Sequence, residues 1–189
     1  MVILLNGASS SGKSSIAQLL QLMLPMPILN AGLDQFFGML PAGFIDFDHA
    51  PEDEMRRRFT WLAASDGIAA AASAQADKWR ADMRRTIASM AGLGNHLVVD
   101  EIITRSEWVA DYRALLAAQE VLWVGVRCPL AVLEARERER VGRVAGQARE
   151  HFDLVHAHCR YDIEVDSGDL SPYQCAKLIV DYLDRRAGA

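Results

Sequence analysis

Residues 7–14 read GASSSGKS, a run of two glycines, one alanine, four serines and one lysine in the spacing GxxxxGK[ST]. These residue types suit one task, holding a polyanion. Gly7 and Gly12 allow backbone dihedrals and close approaches that a β-carbon forbids, so the amides of Ala8, Ser9, Ser10 and Ser11 can converge on phosphate oxygens. Lys13 adds a mobile positive charge. A helix starting near Lys13 turns its unpaired first-turn amides, Ser15 included, toward the same spot. Ser14 then offers its hydroxyl to Mg²⁺. The expected ligands are ATP and Mg²⁺.

Where the terminal phosphoryl group goes depends on other residues. No NKxD segment that would read guanine is present, and the chain is short for a motor. Transfer to the hydroxyl of a small molecule is the leading option, and it needs a carboxylate beside the acceptor. Asp34, in NAGLDQFF, follows an apolar segment; in a parallel sheet such a position faces the cleft beyond the strand ends. It can take or orient the hydroxyl proton, and it can also cap the helix carrying Phe36 and Phe37. Asp100 and Glu101 end the apolar run LVV. Asp100 is assigned to Mg²⁺ through a bridging water, and either acid, Glu101 in particular, can meet the acceptor. Arg136, Arg138, Arg140, Arg143 and Arg149 crowd into one span with Glu134, Glu137 and Glu139. Part of that span is an ion-paired helix face. Gly142 and Gly146 interrupt it as a hinged lid over about 136–149 would require, and a lid arginine can clamp charge on the transferred group.

These residues need a scaffold to bring them together. Apolar runs at 2–6 (VILLN), 26–32 (MPILNAG), 96–101 (HLVVDE), 120–128 (EVLWVGVRC) and 161–166 (YDIEVD) read as five strands separated by helical patterns. That alternation predicts an α/β fold with a mostly parallel five-stranded sheet flanked by helices, the P-loop nucleoside triphosphate hydrolase/kinase class. The first helix places Ile16, Leu19, Leu20 and Met23 on one face and stops at Pro25. A second helix over 74–92 ends at Gly92 as its C′ residue. A third opens with Pro129 at its first position. The last takes Ser171 as N-cap with Pro172 behind it. Residues 41–66, with Phe44, Phe47, Phe59 and Trp61, read as an insertion near the acceptor site within a single domain over 1–189.

Composition sets the outer bounds. The chain has 189 residues, 51% of them hydrophobic, with a net charge of −5. One domain of this size buries a core without staples. The acidic balance argues against nucleic acid as a partner. No apolar run reaches membrane-span length and no leader is visible, so the expectation is a cytoplasmic protein without a membrane partner. Cys128, Cys159 and Cys175 form no CxxC pair, and His151, His156 and His158 lack the spacing of a helical metal site. A homo-oligomer is left open.

ILLNGASSSGKS, AGLDQ, LWVGVRC, the arginine span through RVAG, and VHAHCRYDIEVD together resemble the chloramphenicol phosphotransferase family, small P-loop kinases that inactivate an antibiotic by phosphorylating a hydroxyl. The likeness runs over nearly the whole chain. It implies Asp34 as catalytic base, Lys13 and Ser14 as phosphate and magnesium contacts, and Arg136, Arg140 and Arg143 as lid arginines. It also implies antibiotic resistance as the setting. Ala8 stands where the family pattern leads one to expect a second glycine, and residues 41–75 do not align, so the acceptor is open between chloramphenicol and another hydroxylated compound. Kinases resembling those for shikimate or adenylylsulfate would grip an anionic acceptor with an arginine pair, for which Arg56, Arg57 and Arg58 are available. A regulator that binds ATP without transferring phosphate is the non-catalytic alternative.

Overall fold

The computed structural model describes residues 1–39, 68–139 and 146–188, with the backbone alone described for 68–73. The insertion at 41–66 with its aromatics, Arg56–Arg58, and the lid residues Arg140, Gly142 and Arg143 lie outside the described residues.

The elements run β1 (Val2–Asn6), α1 (Lys13–Met23), β2 (Ile28–Asn30), α2 (Leu33–Phe37), α3 (Ile68–Gly92), β3 (His96–Glu101), α4 (Ser106–Leu115), β4 (Val121–Arg127), α5 (Leu130–Glu139), α6 (Gln147–Phe152), β5 (Ile163–Asp166) and α7 (Pro172–Ala187). The five strands form one sheet in the order β2-β3-β1-β4-β5, and every pairing is parallel. The sheet is therefore wholly rather than mostly parallel. β1 is buried along its full length, as the unbroken run VILLN requires of a strand covered on both faces.

Alternation along β1 sorts the core into two layers. Ile3 and Leu5 face α1 and α7, meeting Ile16, Leu20, Cys175 and Ile179. Val2 and Leu4 face the opposite layer, where α3 supplies Met83 and Ile87 and α4 supplies Trp108 and Tyr112. In α1 the buried apolar set is Ile16, Ala17 and Leu20, while Leu19 and Met23 sit at the rim. Leu24, the residue before Pro25, turns extended and ends the helix.

Three helix ends differ from expectation: α3 begins at Ile68, six residues before the expected 74, and two others shift by a residue or two. α3 closes in a Schellman turn. Gly94 (φ 88°) is its C′ residue, with Gly94 N–H on Ala91 O and Asn95 N–H on Met90 O, so Gly92 is the last helical residue instead. Pro129 precedes α5 and its carbonyl accepts from Val132 and Leu133, an N-cap role. α7 carries a full capping box between Ser171 and Gln174, with Pro172 at its start. α4 and α6 had no sequence expectation. α4's polar and aromatic mix hides the apolar face formed by Trp108, Val109 and Tyr112.

The centre of the sheet is held by a long-range polar knot. Asn6, fully buried at the end of β1, donates through Nδ2 to Val155 O (2.6 Å) and to the Tyr161 hydroxyl (2.8 Å), and its Oδ1 accepts from Ile103 N–H (2.8 Å). Tyr161 lies flat enough on β4 that a β-carbon at Gly125 would stand 2.7 Å from its ring. Gly125→Ala should therefore lower stability by about 1–3 kcal/mol through overpacking. Urea denaturation checks this, and an unshifted midpoint would show that the ring does not need the gap.

Candidate functional site

The phosphate loop joins β1 to α1 at the point where the sheet order reverses, with β3 on one side of β1 and β4 on the other. The glycines are needed where the backbone is tightest. A β-carbon on Gly7 would meet Val126 O at 2.7 Å, and Gly12 adopts φ 83° as the N-cap of α1. Ser10 is the one non-glycine among the described residues with positive φ, 64°. Ala8 is not among them. Its methyl is buried against Cys128, Leu133 and Val155, so the departure from the glycine pattern fills core space at no conformational cost.

Lys13 is buried. Its Nζ donates to Ala8 O at 2.9 Å and lies 3.7 Å from Asp100 Oδ1. Burial pushes the ammonium below its ordinary range, and Asp100, Asp34 and Glu101 work against that shift. Ser14 Oγ donates to Asp100 Oδ2 at 2.6 Å. Asp34, exposed in the first turn of α2, joins Lys13, Ser14, Asp100, Ser9, Ser10, Gly12 and Ser15 in lining one narrow cleft. Gly32 caps α2, so Asp34 does not serve as the N-cap. Gly32 itself is a close-approach site, where a β-carbon would stand 2.7 Å from Asp100 Cβ. This contact between the β2–α2 turn and the end of β3 brings Asp34 to the cleft.

The loop fits an anion on two observations. The buried hydroxyls Ser10 Oγ and Ser11 Oγ have no hydrogen-bond partner, and the first turn of α1 carries no acidic residue to neutralise its positive end. The Ser14–Asp100 pair fits Mg²⁺, which takes few protein oxygens and completes its shell with phosphate and water.

Asp100 and Glu101 part company because consecutive strand residues point to opposite faces. Glu101 is buried in the α3/α4 layer, its Oε1 accepting from Ile102 N–H (3.0 Å) and its Oε2 from the Tyr112 hydroxyl (2.9 Å). It does not line the cleft that Asp34 and Asp100 share. Arg136 likewise stands off the cleft: Nη2 donates to Ser167 O at 2.7 Å, while Ser167 Oγ donates to Ser11 O at 2.7 Å. In this arrangement Arg136 acts on the phosphate loop through Ser167. The span after α5 is pinned at its base, because Glu137 accepts from Gly146 N–H and Ala148 N–H, both at 2.8 Å.

Asn6, Gly32 and Ser167 position the site and were not singled out from the sequence. Each acts through a contact to a residue distant in the chain, and only the glycine closing the strand expected at 26–32 carried any local signal. A cavity of about 440 Å³ adjoins the loop on the β4 side, bounded by Ala8, Ser11, Cys128, Pro129, His156 and Asp166 among others.

A parallel sheet with a phosphate loop at its switch point and an acid opposite defines a P-loop kinase. The sequence pattern of the chloramphenicol phosphotransferase-like family matches residues 1–184, and the chain belongs to that family. It is 28% identical over 181 residues to a Mycobacterium tuberculosis H37Rv protein provisionally named an O-phosphotransferase, covering 93% of this chain and 79% of the relative. Solved structures with the same fold include M. tuberculosis APS kinase in complex with AMPPNP and APS (TM-score 0.56, 22% identity, 97% and 96% of the two chains). Aquifex aeolicus shikimate kinase (0.59, 16%, 99% and 98%) and a Deinococcus radiodurans tunicamycin resistance protein (0.61, 17%, 96% and 94%) share it as well. The protein is thus a kinase-type phosphotransferase acting on a small molecule.

The buried carboxyl of Glu101 generates a pH prediction. Burial raises its pKa, with Arg80, the Ile102 amide, Tyr112 and Arg84 opposing. The folded chain thus binds this proton more tightly than the unfolded one, and the resulting stability declines as pH rises through the folded value. Glu101→Gln removes the dependence. Urea unfolding should show the variant gaining on wild type as pH rises from about 4, the ordinary value of a glutamate, and a constant difference between the two would contradict the assignment.

Proposed function

We propose that the protein transfers the γ-phosphoryl group of ATP to a hydroxyl of a small molecule. The observation that carries this reading is the convergence of Lys13, the Ser14–Asp100 pair and Asp34 on one cleft. The loop amides and the end of α1 bind the phosphate chain, and Lys13 balances charge on its outer groups. Ser14 and Asp100, the latter through water, would hold Mg²⁺, which when bound supplies charge neutralisation between phosphate oxygens.

Asp34 faces the acceptor from the other wall. The alcohol oxygen forms a bond to the γ-phosphorus as the bond to the bridging oxygen of ADP breaks, and the hydroxyl proton passes to the Asp34 carboxylate. An exposed carboxylate on a helix next to the phosphate loop suits that role, because proton release to solvent then completes the cycle. Arg136 steadies the loop from Ser167. The clamping role of Arg140 and Arg143 rests on the sequence resemblance. Chloramphenicol is the candidate acceptor that the family suggests; the names of the fold relatives add APS and shikimate to the compounds associated with this scaffold.

Incubation with Mg·ATP and a panel of alcohols, chloramphenicol included, should yield an acceptor heavier by one phosphoryl group in mass spectrometry. Asp34→Asn should slow that transfer by about 10²- to 10⁴-fold while nucleotide affinity stays within a few-fold. Lys13→Ala should weaken nucleotide binding and transfer together. An Asp34→Asn enzyme with full turnover would remove Asp34 from the chemistry.

A further inference from the structure

The glycine that frees the phosphate loop leaves one of its peptides undecided. Gly12 sits at φ 83°, and turning over the Ser11–Gly12 peptide would carry it to negative φ, which glycine adopts about as readily. The space beside it is open, with nothing within 4 Å of where a β-carbon would stand, so packing against Gly12 does not choose between the two orientations. A contact from outside the loop has to choose.

Ser167, just past β5, supplies that contact. Its buried hydroxyl lies 2.7 Å from Ser11 O and 3.1 Å from Arg127 O. A hydroxyl has one hydrogen to donate. Arg127 O already accepts from Ser167 N–H at 2.8 Å, and Ser11 O has no other donor among the described residues, so the hydrogen belongs to Ser11. The peptide is trans, and in a trans peptide N–H points opposite to C=O. Drawing Ser11 O toward Ser167 therefore turns Gly12 N–H the other way. The cavity linings agree with this division: Ser11 borders the space on the β4 side, whereas Gly12 borders the cleft that holds Lys13, Ser14, Asp34 and Asp100. Gly12 N–H has no acceptor among the described residues. Ser167 is itself held on both sides, by its own amide on Arg127 O and by Arg136 Nη2, which donates to its carbonyl at 2.7 Å.

We propose that Ser167 is a positioning residue for the donor nucleotide, its hydroxyl selecting the orientation of the Ser11–Gly12 peptide in which Gly12 N–H donates to a phosphate oxygen. The inference rests on the reading of residues 7–14 as the nucleotide site and adds to that site a residue 156 positions from Ser11 in the chain. Without the hydroxyl, Ser11 O is a buried acceptor that has lost its partner. Turning the peptide over relieves that loss and puts a carbonyl oxygen where the phosphate needs a donor.

Mg·ADP is titrated calorimetrically into the full chain and into Ser167→Ala, Ser167→Cys and Ser171→Ala, with urea unfolding of each. Ser171 caps α7, so losing its hydroxyl costs stability without touching the loop. Ser167→Cys fills the serine's space with a much weaker donor. Ser167→Ala and Ser167→Cys should each bind ADP about 10- to 100-fold more weakly than wild type, while Ser171→Ala binds as wild type does. A crystal structure of Ser167→Ala should show the Ser11–Gly12 peptide turned over. If that variant fails to fold, Ser167→Cys carries both measurements. Unchanged affinity, a loss that Ser171→Ala shares, a loss in Ser167→Ala that Ser167→Cys does not show, or a peptide that keeps its orientation overturns the assignment of Ser167 and leaves the nucleotide reading standing. A wild type that binds no ADP overturns the nucleotide reading itself, and the role of Ser167 with it.

Discussion

The site depends on one buried ammonium. Lys13 has lost its water, and burial is the largest influence on its proton affinity, acting to discharge it. Opposing that discharge is the ring of groups around it: Asp100 at 3.7 Å, the fields of Asp34 and Glu101, and the carbonyl of Ala8 at 2.9 Å. This places demands on the fold. Asp100 must end β3 next to β1, Asp34 must arrive from a different strand, and the loop must curl back far enough for Ala8 O to face Nζ. Gly7 and Gly32 make the last two demands feasible, because a β-carbon at either would clash at 2.7 Å with Val126 O or Asp100 Cβ respectively.

The two acids at the end of β3 show how strand geometry divides labour. Asp100 and Glu101 are adjacent in the chain, yet the two-residue period of the strand sends one to the phosphate cleft and the other into the α3/α4 layer. Asp100 pairs with Ser14 and Lys13. Glu101 is sealed by Tyr112 and the Ile102 amide. Sequence alone allowed either acid to meet the acceptor, because the register of β3 against β1, Leu5 beside Asp100 and Asn6 beside Glu101, is a property of the assembled sheet.

The parts of the fold legible in the chain were those decided locally. VILLN and HLVVDE are strands at the expected bounds because their apolar runs are continuous and both faces are covered. The capping box at Ser171 is written within four residues. The phosphate loop is equally local, since its glycines answer to dihedrals and approach distances set within the motif. What could not be read is long-range. Asn6 reaches Val155 and Tyr161 across about 150 positions, and Ser167 reaches Ser11 across a similar span. The end of α3 was misplaced by two residues because Gly92 and Gly94 are both glycines, and only the bond pattern shows which one reverses the chain. α4 escaped notice because Trp108, Val109 and Tyr112 form a narrow face amid charged residues.

The two walls of the cleft are built on different physics, and this bears on where specificity resides. On the phosphate side the loop offers backbone amides and the hydroxyls of Ser10 and Ser11, on a framework held by Asn6, Ser167 and Arg136. Groups of that kind recognise what every nucleoside triphosphate presents and have little room to vary, since each buried polar atom needs its partner. On the α2/α3 side the described contacts are rings and guanidinium groups, with Phe37, Trp108, Arg80, Arg84 and Arg105 packed between α2, α3 and α4. Ring contacts tolerate exchange of shape and charge more readily than a polar knot does, because losing one strands no buried donor or acceptor. Side chains on the α2/α3 wall can therefore change without disturbing the phosphate loop. Asp34 sits where the two walls meet, tied to the end of β3 by Gly32 and to the α2/α3 wall by the helix it shares with Phe37.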